Sequence, residues 1–130
     1  MSLSTQDTLD ILQLYSRYNT AIDTGDGKTF ANCFVEGGKF DAGFQTLDGH
    51  AAIAAFADGT HKALPGMRHN ATNIVIDGAG DRATGSAFLI GYDTKGGYKV
   101  IVTGRYRDEL AKTAQGWRFT SRIFSPDKPE

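Results

Sequence analysis

The chain has 130 residues, 40% of them hydrophobic and 22% charged, and its 15 acidic and 14 basic side chains give a formal net charge of −1. That is the size and balance of one domain, residues 1–130, with enough chain to bury a real core. No lysine or arginine cluster breaks the balance, which argues against nucleic acid or an anionic membrane as a partner.

In chain order, residues 5–23 carry Ile11, Leu14, Tyr15, Tyr18 and Ile22 at helical spacing, which predicts an amphipathic first helix. Ser4 or Thr5 is placed to cap it and Gly25 to end it. Asp26 opens a short second helix with Phe30, Cys33 and Phe34 on its pattern. Cys33 is the one cysteine, so an intrachain disulfide is excluded and a reducing compartment is expected. Its place between two phenylalanines reads as packing rather than as a nucleophile.

Gly37-Gly38 breaks the second helix, and residues 39–44 read as a first strand. Asp48-Gly49 marks the start of a third helix with Ile53, Phe56 and Ala57 as its buried stripe. After Pro65-Gly66 the period changes from helical to two. Residues 67–77, 82–93, 98–110 and 115–125 are four strand candidates joined by short Gly-rich turns. Four long strands in series predict an antiparallel meander, and residues 125–130 read as a loose tail. Gly85, Gly91 and Gly104 lie inside strands, where bulges and sharp bending are expected.

Three helices on a curved, mostly antiparallel sheet make an α+β cone-shaped barrel. A curled sheet that does not close has an interior, and an apolar interior with a few polar groups is the usual form of a small-molecule site. The apolar stretch 51–57 is too short to span a bilayer, and the first residues lack the basic start and apolar run of a signal peptide. Cytoplasmic is therefore the expected location.

Five segments resemble the SnoaL-like branch of the nuclear transport factor 2-like superfamily. They are Tyr18-x4-Asp23-Thr-Gly-Asp, Asp48-Gly49-His50-Ala-Ala-Ile53, Arg68-His69-x3-Asn73, Gly104-x-Tyr106-x-Asp108 and Gly116-Trp117-Arg118-Phe119-x2-Arg122. The resemblance implies the cone-shaped fold over nearly the whole chain. It implies function less closely, because this fold hosts dehydratases, isomerases, cyclases, hydrolases and plain binding subunits. Bile acid 7α-dehydratase and scytalone dehydratase are similar in placing Tyr, Asp and His in the cavity, which carries those roles onto Tyr18, Asp23 and His69, with Arg122 a looser match. Ketosteroid isomerase shares the Tyr-x4-Asp helix end, but its base is a carboxylate on the first strand. That position falls on Ala42 here, with Asp41 one residue away and so on the other face. His69 is then the expected base.

Each of these residues has a plainer reading. Imidazole is the side chain suited to take a proton near neutral pH, yet a histidine at a strand start can also simply pack on its neighbours. Asp23 either orients the imidazole or is one more carboxylate in a helix-ending turn. Tyr18 lies on the apolar stripe and is either an oxyanion donor or a core phenol. Strand parity puts Arg122 on the face opposite Trp117, Phe119, Ser121 and Ile123, so it turns inward only through a bulge and is otherwise a surface arginine. Arg105 and Arg107 read as solvated. Phe40, Phe56, Asn73, Tyr92 and Tyr106 are candidate lining residues. His50 and His61 read as surface residues, and three histidines without a His-x-His or His-x3-His pair give no metal site.

The resulting expectation is a lyase or isomerase that needs no cofactor or metal and abstracts a proton next to a carbonyl of a small hydrophobic substrate. The alternative is a non-catalytic ligand-binding or structural subunit of the same fold. Either leaves one sheet face needing cover, so a homodimer or larger homo-oligomer is expected.

Overall fold

The computed structural model describes residues 2–128. Helix α1 (Thr5–Asp23) starts with a capping box in which Ser4 Oγ accepts the Asp7 backbone N–H and Asp7 accepts the Ser4 N–H in return, satisfying two otherwise unpaired donors. Asp7 also accepts hydrogen bonds from Lys112 Nζ at 2.9 Å and Trp117 Nε1 at 3.0 Å. Those two donors hold its carboxyl well below the usual carboxylate range and tie the helix start to the far end of the sheet. Gly25, at φ 76°, takes the left-handed turn that ends α1, as glycine does beyond a helix C-terminus.

Helix α2 (Gly27–Asn32) is capped by Asp26, whose side chain accepts from Thr29 N. The Gly27 N–H donates to Asp58 of helix α3 (Gly49–Ala63) at 2.9 Å, which joins the two helices. Cys33 closes α2 and is buried, and burial pushes its thiol up to about 11.

The sheet has six strands, β1 (Phe34–Asp41), β2 (Thr46–Asp48), β3 (Met67–Ala79), β4 (Arg82–Asp93), β5 (Lys99–Thr113) and β6 (Gly116–Pro126), in the order β2-β1-β6-β5-β4-β3. The predicted meander is β3 to β6, all antiparallel. β1 joins it parallel to β6, and β2 folds back antiparallel on β1. The first strand thus begins five residues before the glycine break predicted it, since Gly37-Gly38 lies within β1 where its register with β6 shifts. The expected loose tail is corrected in part: Ser125 and Pro126 belong to β6, and residues 129–130 lie outside the described residues. No helix among the described residues is long and apolar enough to cross a membrane.

The three helices cover one face of the sheet. Ile11, Leu14, Tyr15, Tyr18 and Ile22 of α1 pack with Phe30, Phe34, Ile53, Leu110, Trp117 and Phe119. Each such side chain stabilises the fold by roughly 1.5–3 kcal/mol. Of Gly85, Gly91 and Gly104, where bulges were expected, only Gly91 sits at a register shift. Gly85 and Gly104 serve close packing instead, because a Cβ there would collide with the Tyr15 phenol and the Phe124 ring.

Candidate functional site

Asp23 is the last residue of α1, and the first turn of chain in β3 comes to meet it. Its Oδ2 accepts the His69 backbone N–H at 2.8 Å, and its Oδ1 accepts from His69 Nδ1 at 2.6 Å. One carboxylate therefore fixes both the strand start and the imidazole plane. Helical angle alone did not aim Asp23 inward; the strand supplies the partner. With Nδ1–H given to a carboxylate, a neutral imidazole keeps its lone pair on Nε2. Both side chains are close to nine-tenths buried, at 10% and 11% exposed.

His69 is on the wall of a cavity of about 320 Å³ in the mouth of the cone. That is at the small end of the range for ligand pockets. Phe40, Phe44, Phe56, Leu89, Val102 and Phe124 make much of the wall, with Tyr18, Tyr106, Thr60 and His69 as the polar contributors. Among the described residues, no Asp, Glu, Lys or Arg lines it. Ala42 does line it, presenting a methyl group. Asp41 turns away, accepting the Gly43 N–H at 2.9 Å.

Tyr18 and Tyr106 stand edge to face with ring centroids 6.1 Å apart. Burial pushes both phenols above their ordinary value, and the nearby guanidinium of Arg122 opposes the rise. Arg122 is fully buried rather than on the surface. Its Cζ lies 3.5 Å from the Tyr106 ring centroid and 4.3 Å from that of Tyr18, so it supports the two phenols from behind and is not itself part of the wall. The bulge that its inward turn requires is present: Leu110 pairs with Phe119 and Glu109 with Ser121, leaving Thr120 unpaired in β6. The extra residue swaps the faces, so Arg122 and Phe124 point in and Ile123, grouped with Trp117 by simple alternation, points out at 41% exposed.

Inside the core Arg122 donates from Nε and Nη2 to Asp108 at 2.9 and 3.2 Å, and Tyr15 donates to the same carboxylate. Desolvation opposes the charge on Arg122, but Asp108 and the three surrounding phenols outweigh it and hold the guanidinium above its ordinary value. Asp108 was not among the expected site residues. Its signal was available, since it shares the inner face of β5 with Tyr106 two residues earlier.

Other expectations are corrected. Asn73 is exposed, with φ 54° at a register shift of β3, and it does not reach the cavity. Tyr92 follows the shift after Gly91 and faces Tyr98 at 6.4 Å instead. His50 is half-buried and donates from Nε2 to the Phe34 carbonyl at 2.8 Å. His61 is half-buried too, with its ring over Gly25. Arg105 and Arg107 are exposed as expected, with Tyr106 buried between them. Met67, Leu64, Leu89, Val102 and Phe124 line the cavity without having been singled out. No cluster of three metal-ligating side chains occurs among the described residues.

A family model described as the SnoaL-like domain matches residues 4–123. A comparison with curated proteins gave no match. Among solved structures, a protein of unknown function from Mycobacterium tuberculosis is 32% identical, with a TM-score of 0.90 over 97% of this chain and 79% of that one. A nuclear transport factor 2-like protein with a cystatin-like fold from Novosphingobium aromaticivorans is 30% identical, with a TM-score of 0.89 over 96% of this chain and 84% of that one. A second protein from that organism, provisionally named an aromatic ring hydroxylase, is 29% identical, with a TM-score of 0.84 over 98% and 93% of the two chains. By the match to its model over nearly the full length, and by the three-helix, six-stranded cone, this chain belongs to the SnoaL-like family of the nuclear transport factor 2-like fold.

Proposed function

We propose that this protein is a lyase or isomerase that removes a proton next to the carbonyl of a small, neutral, hydrophobic substrate. The observation that carries the reading is the Asp23–His69 pair, held at 2.6 Å with His69 on the wall of an apolar cavity. His69 Nε2 takes the proton, the C–H electron pair moves onto the carbonyl oxygen as an enolate, and Asp23 stabilises the imidazolium. Tyr18, with Tyr106 beside it, donates a hydrogen bond to that oxygen. The imidazolium then returns its proton either to a departing hydroxyl, which leaves as water, or to another carbon, which moves the double bond. The uncharged wall favours a neutral substrate, since a buried ion would lack a partner there. A simple binding subunit has no need of an oriented imidazole in its cavity.

The test is exchange in heavy water. A panel of small cyclic ketones and enones, incubated with the protein, should show deuterium entering next to the carbonyl at least ~10²-fold faster than in buffer for one or more members. A panel in which several members bind, seen as a raised melting temperature, and none exchanges would leave the binding subunit as the better reading.

We also infer that the protein is a homodimer through the outer face of its sheet. Val75, Phe88, Ile90 and Ile123 are all exposed, and cross-strand partners in β3 to β6 place them on one side. An apolar patch of this kind is an interface signature. Light scattering after size exclusion should give twice the chain mass, and Phe88→Asp should give the monomer. A monomeric wild type at tens of micromolar rules this out.

A further inference from the structure

Helix α3 reaches the cavity along one stripe. Phe56, Thr60 and the capping Leu64 all line the wall, and a spacing of four residues sets them one above another on a single helix face. Two of the three are hydrocarbon, and Thr60 is the exception. A β-branched hydroxyl residue is a poorer helix former than leucine or alanine, and it buries less apolar surface, so neither the helix nor the packing calls for it. Threonine hydroxyls at helical positions commonly bond back to the carbonyl four residues earlier, as Thr8 does to Ser4 and Thr24 to Thr20. Thr60 is half-buried, and its carbonyl accepts the Leu64 N–H, but among the described residues its hydroxyl has no hydrogen-bond partner.

The other polar groups of the wall already have roles in the proposed reaction. His69 takes the proton, and Tyr18 with Tyr106 holds the carbonyl oxygen. Water satisfies Thr60 while the cavity is open to solvent. A wholly apolar occupant displaces that water and leaves the hydroxyl unpaired, whereas an occupant with an oxygen within its reach does not. Among the described residues the wall carries no carboxylate, ammonium or guanidinium, so nothing there pairs with a charged oxygen.

We propose that Thr60 is a specificity-determining residue, and that the ligand of this cavity is a small ketone carrying a second, neutral oxygen which Thr60 binds. The role of the first oxygen rests on the proton-abstraction reading; the preference for the second does not. A threonine hydroxyl both donates and accepts, so the second oxygen is a hydroxyl or a carbonyl. Pockets with a hydrogen-bonding group to satisfy reject the analogue that lacks its partner far more strongly than hydrocarbon pockets reject a missing methylene.

The test is calorimetric titration of matched ligands: one- and two-ring ketones, each beside analogues with a hydroxyl or a second carbonyl at successive ring carbons. On the wild type at least one oxygenated analogue should bind about tenfold more tightly than its parent, the worth of one hydrogen bond that otherwise goes unmade. Thr60→Val, nearly equal in shape, should cut that preference below about twofold by weakening the oxygenated analogue and leaving the parent unchanged. Thr60→Ser should restore most of it, and unliganded melting curves check that both variants fold. His69→Ala should keep the preference. A wild type that binds every parent as tightly as its oxygenated analogues overturns the proposal. So does a preference that survives Thr60→Val or vanishes in His69→Ala. Every readout is binding, so a protein that shows the preference and exchanges no deuterium loses the proton-abstraction reading and keeps this one.

Discussion

Replacing His69 by alanine should lower kcat on any ketone that the protein turns over by about 10²–10⁴-fold, the usual worth of a positioned general base. Binding of the same compound should be almost unaffected, because the wall that holds it is made by Phe40, Phe56, Leu89 and Phe124. A loss in kcat with KM nearly constant is the signature of an interaction used mainly in the transition state. His69→Gln is the companion variant, similar in bulk and without a base. Asp23→Asn should cost nearly as much, since an amide can offer Nδ1 either a donor or an uncharged acceptor. It no longer stabilises the imidazolium, and it permits the wrong tautomer. Asp23→Ala is a poorer probe, because the same carboxylate anchors the backbone of His69 at the start of β3. Steady-state kinetics on the three variants and the wild type is the measurement. A His69→Ala protein at full activity removes His69 as the base and with it the proposed reaction.

Much of this architecture was legible because it depends on local rules. The spacing of Ile11, Leu14, Tyr15, Tyr18 and Ile22 gave α1 and its buried face, and the Ser4 and Asp26 caps are where short polar side chains precede helical patterns. The change of period after Gly66 placed β3, and β4 runs over the predicted residues 82–93. What alternation could not reach are the places where the ladder gains a residue. Arg122, Asn73 and Tyr92 all lie at or beyond register shifts, and a single extra residue reverses the face of everything after it. The parallel pairing of β1 with β6 is also invisible locally, since its partners are some eighty residues apart.

The candidate site divides along the same line. Tyr18, Tyr106, Phe40 and Phe56 sit on regular elements, where periodicity assigns a side, and they line the cavity. Asp23 could not be aimed from its helix alone, because its direction is set by a long-range partner. Phe44, Leu64 and Pro126 line the mouth from loops and element ends, where no period applies. Asp108 is the instructive omission. An acidic residue on the inner face of a strand is costly unless paired, so its position beside Tyr106 already called for a cation. Arg122 was the available one, and the pair together implied the bulge.

Arg122→Met should destabilise the fold by roughly 3–5 kcal/mol, because it strands the Asp108 carboxylate in the core. Arg122 is 1% exposed and its Asp108 partner 4%. The desolvation already opposed by their pairing then falls on Asp108 and Tyr15 alone. Contacts of the guanidinium with the faces of Tyr106, Tyr18 and Phe119 at 3.5, 4.3 and 4.6 Å are lost as well, each worth about 0.5–2 kcal/mol. Set against the 5–15 kcal/mol typical of a domain, such a loss is a large fraction of the whole. Arg122→Lys should recover little, since an ammonium lacks the planar fork that grips Asp108 through two nitrogens and stacks on the rings. The informative variant is the double one. Arg122→Met with Asp108→Leu removes both charges together, and its stability should lie at least halfway back to wild type, as for other buried ion pairs replaced by apolar groups. Denaturant unfolding of the two single variants and the double gives the coupling directly. If Arg122→Met unfolds within about 1 kcal/mol of wild type, the ion pair does not hold the core. Tyr18 and Tyr106 would then owe their placement to aromatic packing alone.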